Sequence, residues 1–326
     1  MPAVVRVLVM MLPFAACSER AADRDPDCAA NECGKVDGSP EDEVDAAASS
    51  DPCADPGAFP AWISGGDDCG TEPAIQVHRF GPDTYILRQS LCTSFEAPFL
   101  YLLFGEDRVL LEDTGDDAGT AIPIVQTVNA IIEARLAERG QQSIELVVVN
   151  SHGHGDHTGY NGEFADLPDT TVVGVGVSDL MSYFGLPQWP EGHAEFDLGG
   201  RIVDVVPIPG HQSAHIALYD RRRGLLLTGD SLYPGRLYVN DDVAYTASMA
   251  GLVEFTSTRP VCHVLGTHIE MSNEPGDDYP FGTDSHPNEH PLELDRAHLV
   301  ELSSALDAMN GDLVREVHDD FIIYPL

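Results

Sequence analysis

The chain has 326 residues, enough for one large α/β domain or two small ones around a well-buried core. Its 17 Lys and Arg stand against 54 Asp and Glu, a formal charge of −37 that repels phosphate and argues against a nucleic-acid partner.

The N-terminus reads as an export signal. Arg6 supplies a one-charge start, and residues 7–14 form an apolar run too short to span a bilayer. Phe14-Ala15-Ala16-Cys17 then has the form of a bacterial lipobox, which would make Cys17 the lipidated first residue of a membrane-anchored lipoprotein. An ordinary cleaved signal, with Cys17 incidental, is the other reading. Residues 1–17 are therefore set apart as a signal segment. Six further cysteines, Cys28, Cys33, Cys53, Cys69, Cys92 and Cys262, are an even number, as expected of disulfides in an exported protein. Nearness in the chain suggests Cys28 with Cys33 and Cys53 with Cys69, which leaves Cys92 for Cys262.

Residues 18–73 are read as an acidic tether carrying possible disulfides. The stretch to about 57 is rich in Asp, Glu, Ala, Ser and Pro and too poor in large apolar residues to fold alone. The folded domain is expected over 74–326. Strand-like runs lie at 75–80, 84–89, 99–104 and 108–112. Val125, Val128, Ile131, Ile132 and Leu136 recur at helical spacing. Residues 144–149 form a continuous apolar run, the mark of a strand buried on both faces. Further strands are expected at 171–175, 202–208, 216–219, 225–228 and 261–265, and a C-terminal helix over 292–309. Strands mixed with helices throughout predict α/β layers with helices on the outer faces.

The strongest chemical signal follows the 144–149 run: Ser151-His152-Gly153-His154-Gly155-Asp156-His157-Thr158-Gly159. A loop at the carboxyl end of a strand is where an α/β sheet places ligands. His152 and His154, two apart, point to one side of an extended backbone, and Gly155 lets the chain turn so that Asp156 and His157 can face a second ion. Crowding so many titratable groups into nine residues is costly unless a cation organises them. Three later segments repeat one arrangement, a strand, a glycine and then a ligand-type residue: Gly210-His211, Gly229-Asp230 and Gly266-His268 with Thr267 between. Core packing does not explain three recurrences.

This set resembles the metallo-β-lactamase superfamily. His152-x-His154-x-Asp156-His157, then His211, Asp230 and His268, looks like that family's ligand set, and Asp113-Thr114-Gly115 resembles its first motif. The likeness runs from about Thr84 to about His268. It implies a four-layer αββα sandwich with His152, His154 and His211 on one metal. Asp156, His157 and His268 would hold the other, with Asp230 bridging and Asp113 orienting a ligand by hydrogen bonding. Two Zn²⁺ suit the imidazole and carboxylate donors; Fe, Mn or Co would also fit.

The resemblance implies hydrolysis of a small-molecule ester, lactone or thioester carbonyl by a metal-bound hydroxide, with Asp156 orienting the nucleophile. Tyr233, three residues after Asp230, stands where the homoserine-lactonase branch has a carbonyl-holding Tyr; simple packing is the other reading. A glyoxalase II-like thioesterase shares all seven ligands, though its basic glutathione-gripping residues have no obvious counterpart here. A β-lactamase-type amide hydrolase and a metal-bearing surface lipoprotein without turnover remain as alternatives. His215 reads as structural, His263 as pointing away from the site, and His286 and His290 as a surface loop.

Overall fold

The computed structural model describes residues 51–54, 57–119 and 122–326. The expected signal at 1–17, Cys17 and the Cys28–Cys33 pair lie outside them.

The first half of the domain forms one six-stranded sheet in sequential order: β1 (Ile75–Gly81), β2 (Thr84–Gln89), β3 (Phe99–Phe104), β4 (Arg108–Glu112), β5 (Glu145–Val149) and β6 (Thr170–Val172). The first four are antiparallel neighbours, which short turns can join. The β4–β5 pair is parallel, and helix α1 (Ile124–Arg139) supplies the crossover. Helix α2 (Gly155–Thr158), helix α3 (Asn161–Ala165) and helix α4 (Val177–Phe184) follow β5 and β6.

The second half adds β7 (Ala194–Asp197), β8 (Ile202–Pro207), β9 (Ile216–Asp220), β10 (Leu225–Gly229), β11 (Arg236–Val239), helix α5 (Asp242–Phe255), β12 (His263–Gly266), β13 (Glu293–Leu294), helix α6 (Arg296–Met309), β14 (Glu316–Val317) and β15 (Ile322–Pro325). A second six-stranded sheet runs β13-β12-β10-β9-β8-β7, and a small one β11-β15-β14.

Alternation along the strands builds the layers. Ile86, Tyr101, Leu103, Leu110, Val147 and Val149 of the first sheet meet Val203, Val205, Ile216, Leu218, Leu225, Leu227 and Leu265 of the second in one central core. Their neighbours Leu87, Leu100, Leu102, Val109, Leu111, Leu146 and Val148 point outward, under Val125, Val128 and Ile132 of α1 and Phe164 of α3. On the far side Val206, Ala217, Leu226 and Val264 pack against Tyr245, Met249 and Leu252 of α5 and Leu299, Leu302 and Leu306 of α6. The order is helix, sheet, sheet, helix, the four-layer αββα sandwich that the resemblance implies.

Arg201 fastens the two sheets together. Fully buried, it pairs with Asp220 of β9 through Nε (3.0 Å) and an Nη (2.6 Å), and it donates to the carbonyls of Asp83 and Phe104 and the hydroxyl of Thr84. Arg201→Ala strips Asp220 of its cation and takes a donor from the Asp83 and Phe104 carbonyls and the Thr84 hydroxyl. Loss of about 3–5 kcal/mol of stability is expected, measured as a lower urea midpoint with an unchanged slope; an unchanged midpoint would show the pair to be dispensable.

Three expectations need correction. The disulfides join Cys53 to Cys262 and Cys69 to Cys92, not Cys53 to Cys69 and Cys92 to Cys262. Chain proximity misled, because residues 57–73 do not run as a tether. Phe59 and Trp62 pack on the central core, the 64–65 backbone amides donate to Glu72, and Gly65 bridges to Ser285. This lays the segment across β12 and the loop after β2. The packed chain therefore begins well before residue 74. Finally, the C-terminal helix starts at Arg296, not 292, because Asp295 caps the Ala297 and His298 amides while Glu293–Leu294 pairs with β12.

Candidate metal centre

Strand direction brings the chemistry together. β8 and β10 are each antiparallel to β9, so they run the same way, and β12 is parallel to β10. Their carboxyl ends open at one edge, and from these follow His211, Asp230 and His268. In the other sheet β4 and β5 are parallel; Asp113 follows the first and His152 the second. Glycine makes the approach possible. Gly229 sits at φ +50°, and a Cβ there would lie 2.5 Å from His215 Nε2 and 2.8 Å from Ser151 Cβ.

Two groups of donors result. His152, His154, His211 and Asp230 form one, Asp156, His157, Asp230 and His268 the other; within each, the donor atoms lie within 4.8 Å of one another. Asp230 belongs to both. Its Oδ2 faces His152 Nε2 (3.6 Å) and His211 Nε2 (3.5 Å), and its Oδ1 faces His157 Nε2 (3.4 Å) and His268 Nε2 (3.3 Å). Asp156 Oδ2 is 3.1 Å from His157 Nε2 and 3.4 Å from His268 Nε2.

The rings are held from behind. Asp113 accepts from the Ser151 amide (2.7 Å), the Ser151 hydroxyl (2.9 Å) and His157 Nδ1 (2.8 Å). Since that hydroxyl's proton goes to Asp113, His152 Nδ1 donates to the Ser151 oxygen (3.1 Å). His211 Nδ1 donates to the Tyr238 carbonyl (2.8 Å) and His268 Nδ1 to the Glu96 carbonyl (2.7 Å). With their Nδ1 protons committed, these four rings turn Nε2 lone pairs inward.

That donor set fits cations. His152 Nε2 and His211 Nε2 lie 2.9 and 3.1 Å from His154 Nδ1, so three nitrogens converge with at most one proton among them. His157 Nε2 is buried, has no hydrogen-bond partner and faces two carboxylates. A divalent ion in each group would satisfy the inward lone pairs. Without ions, protons must substitute. Burial disfavours charge on His157 and His268, yet Asp230 and Asp156, with Asp113 for His157, outweigh it and raise both well above the ordinary histidine value. Burial likewise opposes ionisation of Asp230 and Asp156, but the histidines hold both below the usual carboxylate range. His152 and His154, with less negative charge nearby, are lowered chiefly by burial.

Every sequence-predicted ligand lies in these two groups. A family model described as "Metallo-beta-lactamase superfamily" matches residues 95–290, which include all of them. The chain belongs to the metallo-β-lactamase superfamily. Among curated relatives, this superfamily member is 34% identical over 133 residues to a hydroxyacylglutathione hydrolase of Methylococcus capsulatus, covering 40% of this chain and 50% of that protein. It is 24% identical over 162 residues to one of Aeromonas hydrophila, covering 49% and 57%. The chain thus spans about half the length of these curated relatives. A metallo-β-lactamase from Pontibacter korlensis superposes with a TM-score of 0.44 at 12% identity, over 72% of this chain and 99% of that one.

The superfamily centre opens into a cleft of about 300 Å³, lined on its inner side by His154, Asp156, His211, Asp230 and His268. Tyr233 lines it through its ring, 5.5 Å from that of His268, but its hydroxyl donates to the Arg236 carbonyl (2.5 Å), so its one proton is not turned toward a substrate carbonyl. Trp189 and Phe184 pack on the central core rather than line this cleft. His215 is buried and stacked on His152, as a structural residue would be. His263 meets Phe59 and Phe80 edge-on, and His290 pairs with Asp320; His286, expected in a surface loop, is buried against Tyr279. A third metal-compatible group, His193, Glu195 and Asp204, already holds a cation, since Arg221 pairs with both carboxylates.

Sequence reasoning missed the partners that act through backbone atoms, the Glu96 and Tyr238 carbonyls, because no residue type marks them. It also passed over Thr267, whose hydroxyl donates to Asp230 Oδ1 at 2.5 Å although it stands within the quoted Gly266-Thr267-His268 motif.

Proposed function

We propose that this protein is a dinuclear metal hydrolase cleaving a small-molecule thioester, or a related ester or lactone, with two Zn²⁺ as its ions. The observation that carries the reading is the split geometry of Asp230, one oxygen toward each histidine group. The names of the curated relatives, hydroxyacylglutathione hydrolases, support a thioester as the first candidate.

When bound, the ions supply Lewis acidity toward the carbonyl and bring a water pKa down toward ~7. The remaining work falls to the chain. His152, His154 and His211 would hold one ion and Asp156, His157 and His268 the other, with Asp230 shared between the two groups. Asp113, the Glu96 carbonyl and the Tyr238 carbonyl fix ring tautomers, so the donors need no reorganisation on loading. Asp156, beside the open cleft, accepts a hydrogen bond from the attacking water and sets its line of approach. The C–O bond to water forms as the C–S or C–O bond to the leaving group breaks, giving an acid and a thiol or alcohol.

Two disulfides among the described residues support an exported protein, and the Phe14-Ala15-Ala16-Cys17 stretch supports Cys17 as its lipidated residue. The hydrolase reading is tested by elemental analysis together with a panel of thioester, ester, lactone and β-lactam substrates. Two metal equivalents and turnover of a thioester are expected. Stoichiometric metal with no turnover on any of them would instead favour the binding role.

A further inference from the structure

The outer half of the cleft is walled by Glu96, Tyr238, Asn240, Glu270, Phe281 and Leu326, and among the described residues no Lys or Arg lines it. Arg236, the cation adjoining this wall, is already engaged. Its Nε donates to the Tyr238 hydroxyl (3.0 Å), one Nη to Asp278 and the Tyr279 carbonyl (2.7 Å each), and the other pairs with Glu270 (3.0 Å); its side chain is only 9% exposed. A glutathione thioester carries two carboxylates away from its reacting carbonyl. Holding them calls for a free guanidinium or ammonium, and the wall offers instead the Glu270 carboxylate and Glu96, which burial raises to about 7, in a chain of net charge −37.

The lip has the opposite character. Phe281 is 69% exposed and Phe95 42%, and the two rings meet edge-to-face at 5.2 Å. Tyr238 and Tyr324 form a second such pair at 5.2 Å, of which Tyr238 lines the cleft. The exposed Phe95–Phe281 pair, with the half-buried tyrosine pair beside it, offers an apolar arm a surface on which to leave water.

We infer that the cleft selects an acyl substrate with an apolar arm and an uncharged leaving group over the thioester of an anionic thiol. This rests on the hydrolase reading and narrows it to a substrate class. Glu96 and Phe281 are its specificity residues, one refusing anions and the other receiving the arm.

The test compares S-octanoyl-N-acetylcysteamine with S-octanoylglutathione, which share one acyl group and differ in the charge of the thiol. The zinc-loaded full chain is expected to favour the neutral thioester in kcat/KM by roughly tenfold or more. Calorimetric titration with the matching non-hydrolysable S-octyl thioethers should give the same order of affinity. Glu96→Lys, which keeps the backbone carbonyl that holds His268, should narrow the preference by roughly fivefold, mainly through KM for the glutathione ester. Phe281→Ala should lower the octanoyl-to-acetyl ratio by roughly fivefold. Preference for the glutathione ester, or a chain-length ratio indifferent to Phe281→Ala, overturns the inference and leaves the hydrolase reading standing. Turnover of neither thioester removes both.

Discussion

Asp230→Asn is expected to lower kcat/KM by about 10³-fold, roughly 4 kcal/mol of transition-state stabilisation, and to reduce bound metal from two equivalents to one. The side chain keeps its size, so the cause is electronic. Asp230 presents one oxygen to His152 and His211 and the other to His157 and His268, all at 3.3–3.6 Å. A carboxamide has one oxygen and one NH₂, and the NH₂ carries no lone pair for a cation. Thr267 donates to Oδ1, which selects the rotamer that leaves the amide oxygen there and turns the NH₂ toward the three-histidine group. That group then loses its fourth donor, and its approaching ion meets a positive dipole. Elemental analysis and kcat/KM on one sample provide the check. A variant with two equivalents and undiminished rate would show that Asp230 bridges nothing.

The same residues explain what could be read without coordinates. β2, β3 and β4 end where the apolar runs end, because each is buried along almost its whole length and bounded by turn residues. The ligands were legible because strand, glycine, ligand is a local pattern, and β8, β10 and β12 repeat it in one direction. What stayed hidden was non-local or faint. Helix α5 is not among the elements expected from the sequence. Its buried stripe, Tyr245, Ser248, Met249 and Leu252, is narrow and separated by small residues that favour no one structure, although Asp241 stood before it as a capping residue. β11 and β15 pair in parallel across more than eighty residues, a contact that four-residue segments do not announce. The Cys53–Cys262 bridge spans 209 residues, and only the packing of Phe59 and Trp62 on the central core, with Phe59 against His263 beside Cys262, places its halves together.

Stripping the metal should lower thermal stability most at alkaline pH. An ion held only by the folded state, at about 1,000 times its Kd, adds roughly 4 kcal/mol, or about 8–16 °C in a domain of this size. Protons replace part of that in the chelated protein, and their contribution depends on pH with a definite sign. His157 and His268 have folded values raised above the unfolded one near 6.5, so the stability they lend is fully present below that pH and is lost as pH rises through the folded values. Asp156 and Asp230 are lowered, so theirs is present above the unfolded value near 4 and is lost only as pH falls through the folded values. The chelated protein therefore keeps imidazolium–carboxylate pairing in weakly acidic solution and sheds it above neutrality. The loaded protein moves the other way, since protons compete with metal for imidazole at low pH and release it at high pH. The gap in Tm between loaded and chelated protein should accordingly widen from pH 6 to pH 9, as scanning calorimetry would record. A gap that is absent, or constant across that range, would mean that the two donor groups hold no ion coupled to folding.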